Sequence, residues 1–257
     1  VDLGGTVLNE PFGTALIALL TLLWFAAGGY FLVTRRGQRS RAWLGVALLL
    51  SGLSAGMAGI SYQAFSYELK CAGWDLCRLT TGWEVGYSVT QALSVSAMLA
   101  GVAHATTTGT ARRAFLALAA ASAAGYLVVA ALGVLLPSAV LLSFPVLMLF
   151  AVPGLALVIV LATRGYRRTG DRMHRALMVA GWAQVAVQAA YFAALLSGMT
   201  QALWDDGAGF YFSENDVLHL GMVLWLGYVV AAVGPTLRDA PDLPTPSPPA
   251  PSAPAPI

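Results

Sequence analysis

Apolar residues run in long blocks along this chain, and polar residues gather in the short breaks between them. A helix needs about 20 mostly apolar residues to cross a bilayer. Seven stretches qualify: 13–33, 43–66, 82–105, 114–136, 138–163, 176–199 and 216–235. The fourth and fifth are parted only by LLPS around Pro137, and Pro145 and Pro153 predict kinks in the fifth. The pattern predicts an all-α fold, a polytopic seven-transmembrane-helix bundle over residues 1–238. The remaining 239–257 are Pro-rich and low in complexity, and are expected to form a disordered tail. The opening VDLGGTVLNEPFG carries Asp2 and Glu10 and no basic run, so the first apolar stretch is expected to be a true span and not a signal peptide. Spacing within the spans also predicts close helix approach, at Gly52 and Gly56 in the second and along Ala119, Ala120, Ala121 and Gly125 in the fourth.

Composition agrees with this reading. Hydrophobic residues make up 58% of the chain and charged residues 10%, against about 25% charged in a soluble domain. The net charge of +2 gives no footprint for nucleic acid. The arginines instead report orientation. Arg35, Arg36, Arg39, Arg41, Arg112, Arg113, Arg164, Arg167, Arg168, Arg172, Arg175 and Arg238 all fall in breaks on one face of the bundle. The other face receives Lys70 and Arg78 with Asp2, Glu10, Glu68, Asp75, Asp205, Asp206 and Glu214. The positive-inside rule makes the arginine face cytoplasmic, with the N-terminus outside and the C-terminal tail inside. Abundant Ala, Gly, Val, Leu and Arg with a single lysine fit a GC-rich bacterial genome. The expected location is therefore the bacterial inner membrane.

Polar residues inside apolar spans mark candidate chemistry, because each is costly in hydrocarbon. Glu84, Ser88 and Gln91 in the third span share one helical face, as do Gln184, Gln188 and Tyr191 in the sixth. Asp216 and His219 stand together at the start of the seventh, and Ser61, Tyr62, Gln63 and Glu68 close the second on the outer side. At 1.5 Å per residue, Gln91 and Gln188 lie roughly 14 and 16 Å below the outer helix ends, and His219 about 5 Å. Glu84, Ser88, Gln91, Gln184, Gln188, Tyr191, Asp216 and His219 are the residues expected to line one outward-facing pocket. TGWE (81–84) and SEND (213–216) also fit capping boxes, which gives Glu84 and Asp216 a purely local alternative.

Cys71 and Cys77, the two cysteines of the chain, sit in CAGWDLC between the second and third spans. The topology places them outside, where disulfides persist. A continuous helix would hold their Cα atoms about 9 Å apart, beyond the roughly 7 Å limit for a bridge. The chain must turn, Gly73 permits it, and a Cys71–Cys77 staple is expected to clamp Glu68 and Glu84 at the pocket rim.

Sharper chemistries lack their residues. The three histidines, His104, His174 and His219, fall in separate places, so no metal site is expected. No nucleophile triad or phosphate loop is present. No catalytic residue can be assigned, and enzyme activity is not the favoured reading.

DVLHLGMVLW (216–225) resembles the histidine helix of the alkaline ceramidase and progestin-receptor-like superfamily. That resemblance implies a membrane-embedded lipid hydrolase with a metal, and is an alternative to the pocket reading. Seven helices with Arg78, Glu84 and Ser88 around the third also look like a microbial rhodopsin. The seventh span has no lysine, which excludes covalent retinal, and no other cofactor is expected. SYQAFSYELKCAGWDLCRLTTGWEVGY together with FSENDVLHLGMVLW resembles an uncharacterised bacterial family of seven-helix membrane proteins, a domain of unknown function. It implies the same architecture and adds no reaction. The expected partners are the lipid bilayer and a small-molecule, ion or lipid ligand, in a sensor or carrier. A structural or accessory subunit is the remaining alternative.

Overall fold

The structure, a computed structural model, describes residues 10–207 and 212–241. Over those residues it is all-helical. Seven helices are long and apolar enough to cross a membrane, which fits a multi-pass membrane protein.

The first long helix is α1 (Pro11–Val33), opened by a proline whose missing N–H is harmless there. Helix α2 (Arg39–Ala58) runs into a π-helical turn, Gly59–Ala64, and a short α3 (Ser66–Lys70) follows. Then come α4 (Gly82–Thr106), α5 (Gly109–Leu135), α6 (Phe144–Thr169) and α7 (Arg172–Ser197). After a short α8 (Met199–Asp205), α9 (Glu214–Tyr228) ends in a second π-helical turn, Val229–Val233.

Five of the seven expected spans differ from these helices by four residues or fewer at each end, counting α2 and α9 each with its π turn. The larger shifts fall at the start of the fourth span and at both ends of the fifth. The fourth span begins at Gly109 instead of 114. The fifth begins at Phe144 instead of 138 and runs on to Thr169 instead of 163. Residues 136–143 form turns, in which the Ser138 N–H bonds the Gly133 carbonyl at 2.9 Å and the Ser143 hydroxyl bonds that of Val140 at 2.7 Å. Pro145 therefore falls in the first turn of α6, where it starts the helix and does not kink it; Pro153 alone lies inside.

The bundle has two chemically distinct ends. At one, the starts of α1, α4 and α9 meet the π turn of α2: the Glu10 N–H bonds the Gln63 carbonyl at 3.1 Å, and Ser61 bonds Glu84. We call this the acidic end. At the other, the arginine end, Arg41 is only 7% exposed. Its guanidinium donates to the Gly234 carbonyl at 2.5 Å and to the Thr34 hydroxyl at 2.6 Å, and stacks 5.2 Å from the Phe31 ring. Arg41 thus serves packing, capping a carbonyl that the end of the last π turn leaves free.

The first residues of the expected tail are held by this end. Asp239 accepts from the backbone N–H groups of Arg39 and Ser40 at 2.9 and 2.7 Å, capping the start of α2. The Ala240 N–H bonds the His104 carbonyl at 2.9 Å. The rest of that tail, 242–257, lies outside the described residues, as do residues 1–9.

Helices α1 and α2 meet at the backbone. A Cβ on Gly28 would stand 2.8 Å from Leu49 and 3.0 Å from the Gly45 carbonyl, and one on Gly45 would meet Leu32 and the Gly28 carbonyl at the same distances. Gly52 continues the seam against Trp24. In the core, Trp24 of α1 lies 5.6 Å from Trp225 of α9, whose indole N–H donates to the Ala180 carbonyl of α7 at 2.8 Å.

Candidate ligand pocket

Six of the long helices surround a cavity of about 730 Å³. On α4 its lining extends from Tyr87 to Val102, so it is roughly 20 Å long at 1.5 Å per residue. Most of the wall is apolar, with Trp24, Met98, Leu147, Met222 and Trp225 among its side chains. The polar groups form a band in the half nearer the acidic end.

That band contains most of the residues singled out in the sequence. Ser88 and Gln91 of α4, Gln184, Gln188 and Tyr191 of α7, and His219 of α9 all line the cavity. Helical periodicity accounts for it: α7 presents Leu177, Gln184, Gln188 and Tyr191 on one stripe, and α4 presents Ser88, Gln91 and Val95. Ser54 donates to the Gln91 side-chain oxygen at 3.0 Å, which leaves the Gln91 amide N–H groups for another acceptor. Below it, Ser94 pairs with Ser51 at 2.7 Å. The Gln184 oxygen and His219 Nδ1 are buried without a hydrogen-bond partner among the described residues. An unmet buried acceptor or donor costs about 1–3 kcal/mol, and a bound polar group would recover part of it.

Glu84 and Asp216 do not line this cavity. Glu84 lines a smaller one of about 170 Å³, shared with Tyr62, Lys70, Thr80 and Ser88. Its N–H is accepted by the Thr81 hydroxyl at 3.3 Å, as in a capping box, but its carboxylate turns elsewhere. Lys70 Nζ lies 2.5 Å from one oxygen, which also accepts from Ser61 at 3.1 Å, and Thr80 donates to the other at 3.1 Å. Asp216 completes the carboxylate arm of its own box, accepting from the Ser213 N–H at 2.8 Å and hydroxyl at 3.2 Å. Its second oxygen faces Glu10 and Gln63, beside the cavity's acidic end.

The loop before α4 makes the Lys70–Glu84 pair. Cys71 and Cys77 are disulfide-bonded, with Cα atoms 4.3 Å apart. Gly73 makes the turn at φ 75°, a conformation that glycine adopts without penalty. The Arg78 N–H then bonds the Lys70 carbonyl at 2.9 Å. The clamp therefore sets Lys70 against Glu84, where the sequence pointed to Glu68.

Three participants were not among the expected pocket residues: Lys70, Gln63 and Glu10. Burial first, then Asp216 and Glu214, push the Glu10 carboxyl up to about 7. The π turn of α2 supplies Ser61, Tyr62 and Gln63 to this end of the molecule, and π turns recur at functional sites. Among the described residues, no three His, Cys, Asp or Glu side chains form a group able to hold a metal ion.

No protein-family model, curated protein or solved structure matches the chain. The class is thus defined by the fold and cavity alone: a helical protein with seven candidate membrane-spanning helices and an internal, polar-banded cavity.

Proposed function

We propose that this protein binds an elongated small molecule, apolar along most of its length and polar at one end, inside the bundle. The observation that carries this reading is that Gln91, Gln184, Gln188, Tyr191 and His219, from three helices, face one cavity of about 730 Å³. Ligand pockets have this character: mostly apolar walls with a few converging polar groups. An isoprenoid or acyl chain with a hydrogen-bonding head fits the shape, with the head in the glutamine band. Part of the lining is exposed on the outside of the bundle, at Phe144 and Val152 of α6 and Phe192 of α7. This supports access from the lipid phase.

The same reading places the protein in a bacterial inner membrane with its acidic end outside. The arginines support that orientation through the positive-inside rule, and the disulfide is consistent with it, because disulfides persist on the oxidising side. Binding, as a sensor or carrier, is the role; no reaction is assigned.

A conjugated acyl probe such as cis-parinaric acid tests the binding, because Trp24 and Trp225 line the cavity and would transfer excitation to it. Saturable transfer at one probe per chain is expected. Gln91→Leu and Gln188→Leu should each weaken it about three- to tenfold, the worth of one hydrogen bond, with helical content unchanged. Non-saturable transfer, or equal affinity in both variants, counts against the reading.

A further inference from the structure

Beside the cavity, at the acidic end, three buried polar atoms converge over Gly13. A Cβ placed on Gly13 would stand 3.0 Å from Gln63 Nε2, 3.2 Å from Asp216 Oδ1 and 3.2 Å from Glu10 Oε2. All three atoms are buried and have no hydrogen-bond partner among the described residues. Gln63 is 3% exposed and Asp216 1%. Among the described residues, neither carboxylate is in an ion pair with a cationic side chain: Lys70 pairs with Glu84 and Arg238 with Asp171. The third acid nearby, Glu214, is held by the Thr200 hydroxyl at 2.8 Å.

Burying a carboxylate is expensive unless a charge or hydrogen bonds compensate it. Here two carboxylates face one point with an amide, and nothing among the described side chains neutralises them. The starts of α1 and α9 offset part of that charge, since each helix N-terminus is worth about half a unit. With both acids ionised, the two carboxylate oxygens leave the cradle net negative. The Gln63 Oε1 atom is equally unpartnered, so a half-turn of the amide presents a carbonyl oxygen without breaking a hydrogen bond.

We propose that Glu10, Gln63 and Asp216 bind a calcium ion. Two carboxylates and an amide carbonyl are hard oxygen donors, which suit Ca²⁺ and not the softer transition metals. Ca²⁺ accepts irregular geometry and completes its shell with water, whereas Mg²⁺ demands near-ideal octahedral ligands. The ion would join the start of α1, the π turn of α2 and the start of α9. Gln63 also lines the cavity, as does Asn215 next to Asp216, so the ion would fix the cavity's acidic end. This site stands whether or not the cavity holds a ligand.

The test is thermal unfolding of the EDTA-stripped full chain in nanodiscs, with CaCl₂ added against NaCl of equal ionic strength. Calcium at about 100 times its Kd should raise Tm by roughly 5–10 °C. Gly13→Ala fills the cradle while keeping every ligand, and suits a helix better than glycine; it should lose the shift. Glu10→Gln should weaken calcium binding at least tenfold, and Glu84→Gln, at the other buried carboxylate, should keep the full response. No calcium shift, an equal shift with NaCl, or an undiminished shift in both Gly13→Ala and Glu10→Gln overturns the proposal.

Discussion

Lys70 is the one lysine in the chain, and its ammonium lies 2.5 Å from Glu84, with side-chain exposures of 24% and 7%. Lys70→Met keeps the apolar stem and removes the charge, leaving Glu84 buried with only the Ser61 and Thr80 hydroxyls as donors. Removing one partner of a fully buried ion pair costs about 3–5 kcal/mol. Partial exposure of the lysine and the two remaining hydroxyls reduce this to about 2 kcal/mol. For a chain of this size that is a fall in Tm of roughly 4–8 °C. Thermal unfolding in nanodiscs, followed by near-ultraviolet circular dichroism under non-reducing conditions, reads it directly. Lys70→Met/Glu84→Gln removes both charges and should recover more than half the loss, because the stranded carboxylate is gone. A single variant within about 1 °C of the wild type, a fraction of one surface pair's worth, would refute the buried-pair argument. So would a double variant no more stable than Lys70→Met.

Three further outcomes follow from the same geometry. Arg41→Ala strands the Gly234 carbonyl and should cost about 2–3 kcal/mol in thermal unfolding; Arg41→Lys should recover only part, since an ammonium cannot hold Gly234 and Thr34 with one planar fork, and an unchanged Arg41→Ala would contradict the capping role. At Asp239, burial pushes the carboxyl up, but hydrogen bonds from Ser40 and Arg39 outweigh it and hold the group below its ordinary range. Its stabilisation is present above the unfolded value of about 3.9 and is lost as pH falls through the folded one, so Asp239→Asn should lower Tm at neutral pH and flatten the acid fall, whereas parallel curves would exclude it. A membrane-impermeant amine reagent applied to intact cells should modify Lys70, located by peptide mapping; modification only after lysis would reverse the orientation.

The long apolar blocks made the helices legible, because a bilayer-length hydrophobic run has few other uses. The start of α6 was not, since LLPSAVLLS is as apolar as the helices beside it, and one proline reads alike as a kink or as a first-turn residue. The glutamine stripes were legible from spacing within single helices: Gln91 with Ser88 and Gln188 with Gln184 need no tertiary information to share a face. Glu84 and Asp216 have the right helical phase, yet local capping and Lys70 turn their carboxylates away from the main cavity. Glu10, Gln63 and Lys70 carry no periodic signal at all. Glu10 and Lys70 precede α1 and end a five-residue helix, and Gln63 lies in a π turn that shifts the phase of α2. Arg41 counted as one arginine among many, and its burial depends on the distant end of α9.

The central claim is that the cavity holds an amphipathic molecule. Native mass spectrometry of the protein, extracted with its surrounding lipid and then stripped of annular lipid by collisional activation, measures this directly. One retained small molecule per chain is expected in the wild type, lost together with its mass increment in Gln91→Leu/Gln188→Leu. A bare wild-type chain, or the same adduct retained at the same activation energy in the double variant, would contradict it.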